Sequence, residues 1–129
     1  MVLCVVDDLL FASKISAAAK AVQATVAFEK DASRVVDRVR AEQPTLVIFD
    51  LDTPRLRALE MIAALRADPL TAAVPTLGYV SHVQTERIAA ARSAGIGEVL
   101  ARSAFATQLG EILSWKGEGR PANEPKGSG

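Results

Sequence analysis

The sequence predicts an α/β domain: a doubly wound, parallel five-stranded sheet with five helices on its two faces. Two observations lead there. Short apolar runs alternate along the chain with stretches of helical spacing. The clearest run, Leu46-Val47-Ile48-Phe49, is apolar at every position, as a strand buried on both faces requires, and it ends on Asp50. Periodicity alone does not fix the strand order. With the order 2-1-3-4-5, the first and third strands would be neighbours at the topological switch point. Asp7, Asp8 and Asp50 would then share the sheet edge where such folds bind ligands.

The 129 residues suit one domain able to bury its own core. With only 5% aromatic residues, that core must be mainly aliphatic and alanine-rich. Lys plus Arg and Asp plus Glu balance at 15 each, so no charge argument points to nucleic acid or an anionic membrane surface. No apolar run approaches the roughly 18 residues of a membrane span, and no basic segment precedes an apolar start. The expected location is therefore the cytoplasm, where the single cysteine, Cys4, is a reduced core thiol. No metal-binding CxxC or HExxH spacing occurs.

Val2-Leu3-Cys4-Val5-Val6 reads as the first strand and delivers Asp7-Asp8 to the edge. Phe11, Ile15, Ala18, Ala19 and Val22 then share one helical face, with Lys14 and Lys20 outside it. Ala24-Thr25-Val26-Ala27-Phe28 is the second strand, weakly signalled because alanine is a poor strand former. Asp31-Ala32-Ser33 offers caps for a helix carried by Val35, Val36 and Val39, which Pro44 ends. After the third strand, Leu56, Leu59, Ile62, Ala63 and Leu65 or Arg66 form a helix that stops near Asp68-Pro69. Val74 to Val80 is the fourth strand, with Pro75 tolerated near its start. Ser81 and Gln84 have capping-box spacing for the next helix, and Gly95 is its stop. Gly97 to Ala101 is a short fifth strand; Phe105, Leu109, Ile112 and Leu113 line a last helix ending near Trp115. The domain thus spans residues 1–115. Residues 116–129, rich in Gly, Pro, Lys and Glu, are expected to be a disordered tail.

Three carboxylates on one edge repel unless a cation sits among them. Oxygen-only ligands at an open edge suit a hard divalent ion, magnesium most of all. Such an ion would neutralise an incoming phosphoryl group and leave a carboxylate free to attack phosphorus. The plainer alternative is that Asp7-Asp8 only caps the first helix electrostatically.

These residues carry a resemblance. From Val2 to about Trp115 the chain resembles the receiver domain of bacterial two-component response regulators. The matches are Val5-Val6-Asp7-Asp8, the stretch Leu46 to Pro54 with its Asp-x-x-x-Pro, Pro75 opening the fourth strand, and Gly95 before the fifth. The resemblance implies the flavodoxin-like order 2-1-3-4-5, with Asp50 as phosphoacceptor. Asp7, Asp8 and Asp50 would be ligands of Mg2+, and the backbone carbonyl of Asp52 another. It implies a phosphorelay partner, a sensor histidine kinase or phosphotransfer protein. A downstream protein would be reached through helix four, strand five and helix five, and the protein would be a monomer or homodimer. No enzyme activity is implied beyond self-phosphorylation and slow self-dephosphorylation at Asp50.

The departures fall on the half of the pattern that reads the phosphate. The family's Ser or Thr at the end of strand four is Val80. Ser81 follows it, but a one-residue shift along a strand points a side chain to the opposite face. Arg102-Ser103 replaces the family's lysine and proline, keeping the charge on a longer, planar group. Val99 replaces the aromatic switch residue, and Arg57-Ala58 the usual Asp-Gly. The side chain of Asp52 would lie near the phosphate. A pseudo-receiver, docking without phosphate, is therefore the alternative reading. A remoter one comes from Phe49-Asp50-Leu51-Asp52, which also resembles the first motif of haloacid-dehalogenase-type phosphatases. That motif belongs on a first strand and continues with Gly-Thr, whereas Pro54 stands here in the threonine's place. His82 is read as a solvent-facing helix-start residue, with phosphotransfer donor or metal ligand as alternatives. Arg55 and Arg57 flank the acid loop and would pair with phosphate, with Asp52 or with water.

Overall fold

A buried parallel sheet needs strands that are apolar on both sides, and the chain supplies them. In the computed structural model, which describes residues 1–81, 84–119 and 121, the strands are β1 (Val2–Val5), β2 (Val26–Phe28), β3 (Leu46–Asp50), β4 (Thr76–Val80) and β5 (Glu98–Ala101). They form one parallel sheet in the order β2-β1-β3-β4-β5, as expected. Val5 pairs with Phe49, and Asp50 with Tyr79, so the carboxyl ends of β1, β3 and β4 lie side by side.

Alternation along each strand splits the core into two layers. Cys4, Ile48, Leu77 and Tyr79 face α1 (Leu9–Ala21), α5 (Arg102–Thr107) and α6 (Leu109–Leu113), meeting Phe11, Ile15, Phe105 and Ile112. Leu3, Val5, Val47 and Phe49 face α2 (Val35–Glu42), α3 (Ala58–Ala67) and α4 (Thr85–Ala94), meeting Val39, Ile62, Leu65 and Ala91. Each fully buried Phe or Leu contributes roughly 1.5–3 kcal/mol. Burial also pushes the Cys4 thiol up to about 12. Among the described residues, no helix is long and apolar enough to cross a membrane.

Several boundaries differ from expectation for local reasons. The second strand loses Ala24 and Thr25. The Ala24 amide donates to Ala19 O and the Gln23 amide to Lys20 O, with Gln23 left-handed at φ 58°, so the chain here closes α1 instead of extending the sheet. Gly95 closes α4 in the same way at φ 106°, where no side chain is strained. The single last helix breaks at Gln108, whose amide donates to both Ala104 O and Phe105 O, leaving α5 and α6. A 3-10 turn, Pro54–Leu56, precedes α3, so the helix begins at Ala58 rather than Leu56. Asp31 caps a second 3-10 turn, Ala32–Arg34, through the Ser33 amide. The Ser81–Gln84 capping box does not form. Gln84 takes the N-cap position of α4 without a side-chain bond, and Ser81 is engaged elsewhere. His82 lies outside the described residues, as do residue 120 and residues 122–129 of the expected tail.

Candidate functional site, an acid edge paired with arginines

Asp50 is the last residue of β3 and is buried, which an unpartnered carboxylate does not tolerate. Its own loop partners it. The Asp52 amide donates to Oδ1 at 2.8 Å and the Thr53 hydroxyl to Oδ2 at 2.6 Å. Both oxygens are thus taken up by a tight turn of the kind Asp favours. Thr53 is a site residue that the sequence analysis missed; its signal was a hydroxyl three residues after the acid.

Asp8 works twice. Oδ1 caps α1, accepting from the amides of Leu10 at 2.9 Å and Phe11 at 3.2 Å. Oδ2 accepts from Arg102 Nη2 at 2.7 Å. That guanidinium also lies 4.4 Å from the Phe11 ring centroid, above an aromatic group in which Phe11, Tyr79 and Phe105 pack at 4.8–5.6 Å. The Arg102 hydrogen bond, and after it the Phe11 amide, hold the Asp8 carboxyl below its ordinary range. Asp7 is ion-paired with Arg55, which reaches back from the turn after β3.

The Asp52 side chain faces β4 and α4. Its Oδ2 accepts both the amide and the hydroxyl of Ser81, each at 2.7 Å, and Oδ1 accepts from Arg87 Nη1 at 3.2 Å. The Ser81 hydroxyl therefore serves Asp52, not Asp50. Arg87 is a second residue that the sequence analysis missed: it lies among the small residues of α4, and only the turn of that helix toward the edge brings it to Asp52. Arg57 is left-handed at φ 47° and pairs with Glu60 at 3.7 Å, away from the acids of the edge. Val80 is fully buried, Val99 half-buried, and Trp115 packs against the core with Nε1 donating to Glu118 O. Beneath the edge, the Tyr79 hydroxyl is buried without a hydrogen-bond partner. Burial, and after it the Asp50 carboxylate, raises that phenol above its ordinary value.

The donor set is all oxygen, which suits a hard cation. In this arrangement the acids already have protein partners. Both oxygens of Asp8 and both of Asp50 have protein donors, and Asp7 has its arginine. Among the described residues, no group of three or more His, Cys, Asp or Glu is placed to hold a metal ion.

No family model matches the sequence, and no curated protein does. Solved structures do. A response regulator from Hahella chejuensis superposes with a TM-score of 0.80 at 20% identity, over 88% of this chain and 91% of that one. The receiver domain of a sensor histidine kinase from Pseudomonas aeruginosa, with a magnesium ion coordinated in its active-site cleft, gives 0.76 at 19% identity, over 88% and 93%. The Mn2+-bound response regulator Rcp1 gives 0.76 at 15% identity, over 95% and 98%. Strand order, helix placement and these superpositions together identify the architecture: this chain has the fold of response regulator receiver domains.

Proposed function

We propose that the chain is a receiver module of a phosphorelay, with Asp50 as its phosphoacceptor. The observation that carries this reading is the position of Asp50. It is a lone buried carboxylate at the carboxyl end of β3, at the switch point, with Asp7 and Asp8 following the adjacent β1. The donor would be a phosphohistidine of a sensor histidine kinase or phosphotransfer protein. An Asp50 oxygen would attack phosphorus, an O–P bond would form, the N–P bond would break, and the imidazole would leave and take up a proton. The attacking oxygen would first give up its bond from the Thr53 hydroxyl or the Asp52 amide. Leu9 and Leu10, 86% and 85% exposed at the start of α1, give such a donor an apolar foothold beside the edge. The acyl phosphate would be read through the face formed by α4, β5 and α5.

A second reading is a pseudo-receiver that docks without phosphate. Arg102 pairs with Asp8 and the Ser81 hydroxyl with Asp52, so each would have to leave a carboxylate to bind a phosphoryl group, and Val80 and Val99 supply no hydroxyl or aromatic switch. Incubation with acetyl phosphate and 10 mM MgCl2, followed by intact-mass spectrometry, separates the two. The phosphoacceptor reading expects a single phosphoryl adduct that Asp50→Asn abolishes. An unmodified wild type, identical to Asp50→Asn, leaves the docking module alone standing.

A further inference from the structure

Of the four aspartates Asp7, Asp8, Asp50 and Asp52, three have one arginine each, and every one of these arginines comes from a different element. Arg55 is in the turn after β3, Arg87 on α4, and Arg102 at the junction of β5 and α5; they pair with Asp7, Asp52 and Asp8. Only Asp50 has no guanidinium, and it is satisfied by neutral donors. We propose that Arg55, Arg87 and Arg102 are the resident cations of this edge, doing with tethered guanidinium groups what a divalent ion does in the metal-bound structures that share the fold. The edge then keeps its shape without metal, and a divalent ion enters only by displacing arginines.

The chemistry supports this division. Like charges on adjacent strand ends must be neutralised for the sheet to close there. A guanidinium stays protonated at any working pH, and its planar donors match a carboxylate. Being part of the chain, it competes with a free ion at a high effective concentration. The three are not equally fixed. Arg102 is anchored by Asp8 and by the Phe11 ring, and its side chain is 37% exposed. Arg55 is 72% exposed and holds only Asp7, so it is the first to be displaced.

The inference concerns the metal and not the phosphate, so its test contains no phosphoryl donor. Thermal unfolding in EDTA and in 10 mM MgCl2 at low ionic strength is compared for the wild type, Arg55→Ala and Arg55→Ala/Arg102→Ala. Mn2+ broadening of amide resonances near Asp7, Asp8 and Asp50 is followed in parallel. We expect the wild-type midpoint to move by less than about 1 °C with Mg2+. The double variant should melt lower in EDTA and regain about 4 °C or more with Mg2+. Mn2+ broadening should appear at a concentration about tenfold lower in Arg55→Ala than in the wild type. Should the double variant not fold, Arg55→Ala alone decides, since its substitution site is on the surface. A wild type that gains as much from Mg2+, and broadens at the same Mn2+ concentration, as Arg55→Ala would overturn the proposal. Adduct formation at Asp50 bears on the phosphoacceptor reading and leaves this comparison untouched.

Discussion

At the end of the sheet where β4 and β5 begin, one cation is surrounded by neutral oxygen. Arg66 on α3 donates to Ala72 O, Val74 O, Gly95 O and the Thr76 hydroxyl, at 2.6–3.0 Å, and no ion pair to an acid is among these contacts. Burial lowers its pKa from the ordinary arginine value. At the opposite end, three carboxylates are held by arginines that reach in from the surface and a fourth, Asp50, by neutral donors, above a tyrosine hydroxyl with no partner among the described residues. The first end is a closed set of bonds among neighbouring loops. The second is an assembly of charges, each of which could be exchanged for another ion or ligand. Hydrogen bonds to neutral oxygen dominate the first end, and ion pairs the second.

That contrast can be broken experimentally, and the largest effect is expected at the end without the site. Arg66→Ala strands three carbonyls, while the Thr76 hydroxyl keeps its bond from the Gly97 amide, and should cost about 2–4 kcal/mol in urea unfolding. A loss below about 1 kcal/mol would show that this fastening is dispensable. Tyr79→Phe at the site end should change stability the other way, by about 1 kcal/mol, because it removes a buried hydroxyl that has no partner. A clear destabilisation would mean that the hydroxyl is used.

Asp8→Asn keeps a capping side chain but removes the charge that Arg102 meets. Because the Asp8 carboxyl titrates below its ordinary value in the fold, its contribution is complete above that ordinary value and fades as pH falls through the folded one. With the pair more than a third exposed, screening limits the effect to about 0.5 kcal/mol. The variant should therefore be less stable than the wild type at pH 7, and the gap should close in the acid limb of a pH series of urea melts. The last measurement is a rate, which reports the same loss of stability at the core. Cys4 lies in β1 between the two ends and is fully buried, with its thiol held at about 12, so it should react with a disulfide reagent only through opening. Arg66→Ala should accelerate that reaction roughly tenfold for each 1.4 kcal/mol of stability it loses, and Arg55→Ala far less.

Much of the architecture was legible in the sequence. Buried strands such as Leu46–Phe49 advertise themselves by continuous apolarity, and the acids that end them are adjacent in the text to the runs that place them. The strand order was not legible from periodicity; it came with the resemblance, and the pairing of Val5 with Phe49 confirms it. The partners of the acids were hidden for a geometric reason. An arginine side chain is long enough to cross between elements, so Asp8 finds a partner at residue 102, and nothing in local spacing marks that pair. Arg66 was hidden differently: it was read as an optional member of an apolar helix stripe, and its carbonyl partners belong to backbone, which carries no sequence signal. Residue type did foretell what was absent, since the missing hydroxyl at Val80 and the missing ring at Val99 need no structure to be seen.

The interior position of β1 in the sheet also bears on the birth of the protein. Val2 pairs with Val26 on one side and Leu46 on the other, so the strand made first waits for partners encoded well downstream. At roughly 5–20 residues per second of synthesis, an unbroken apolar segment would spend several seconds outside the ribosome before β3 follows it. Closure across such sequence distances makes for slow folding. The nascent chain would thus pass through an interval in which Val2–Val5 lacks both of its strand partners.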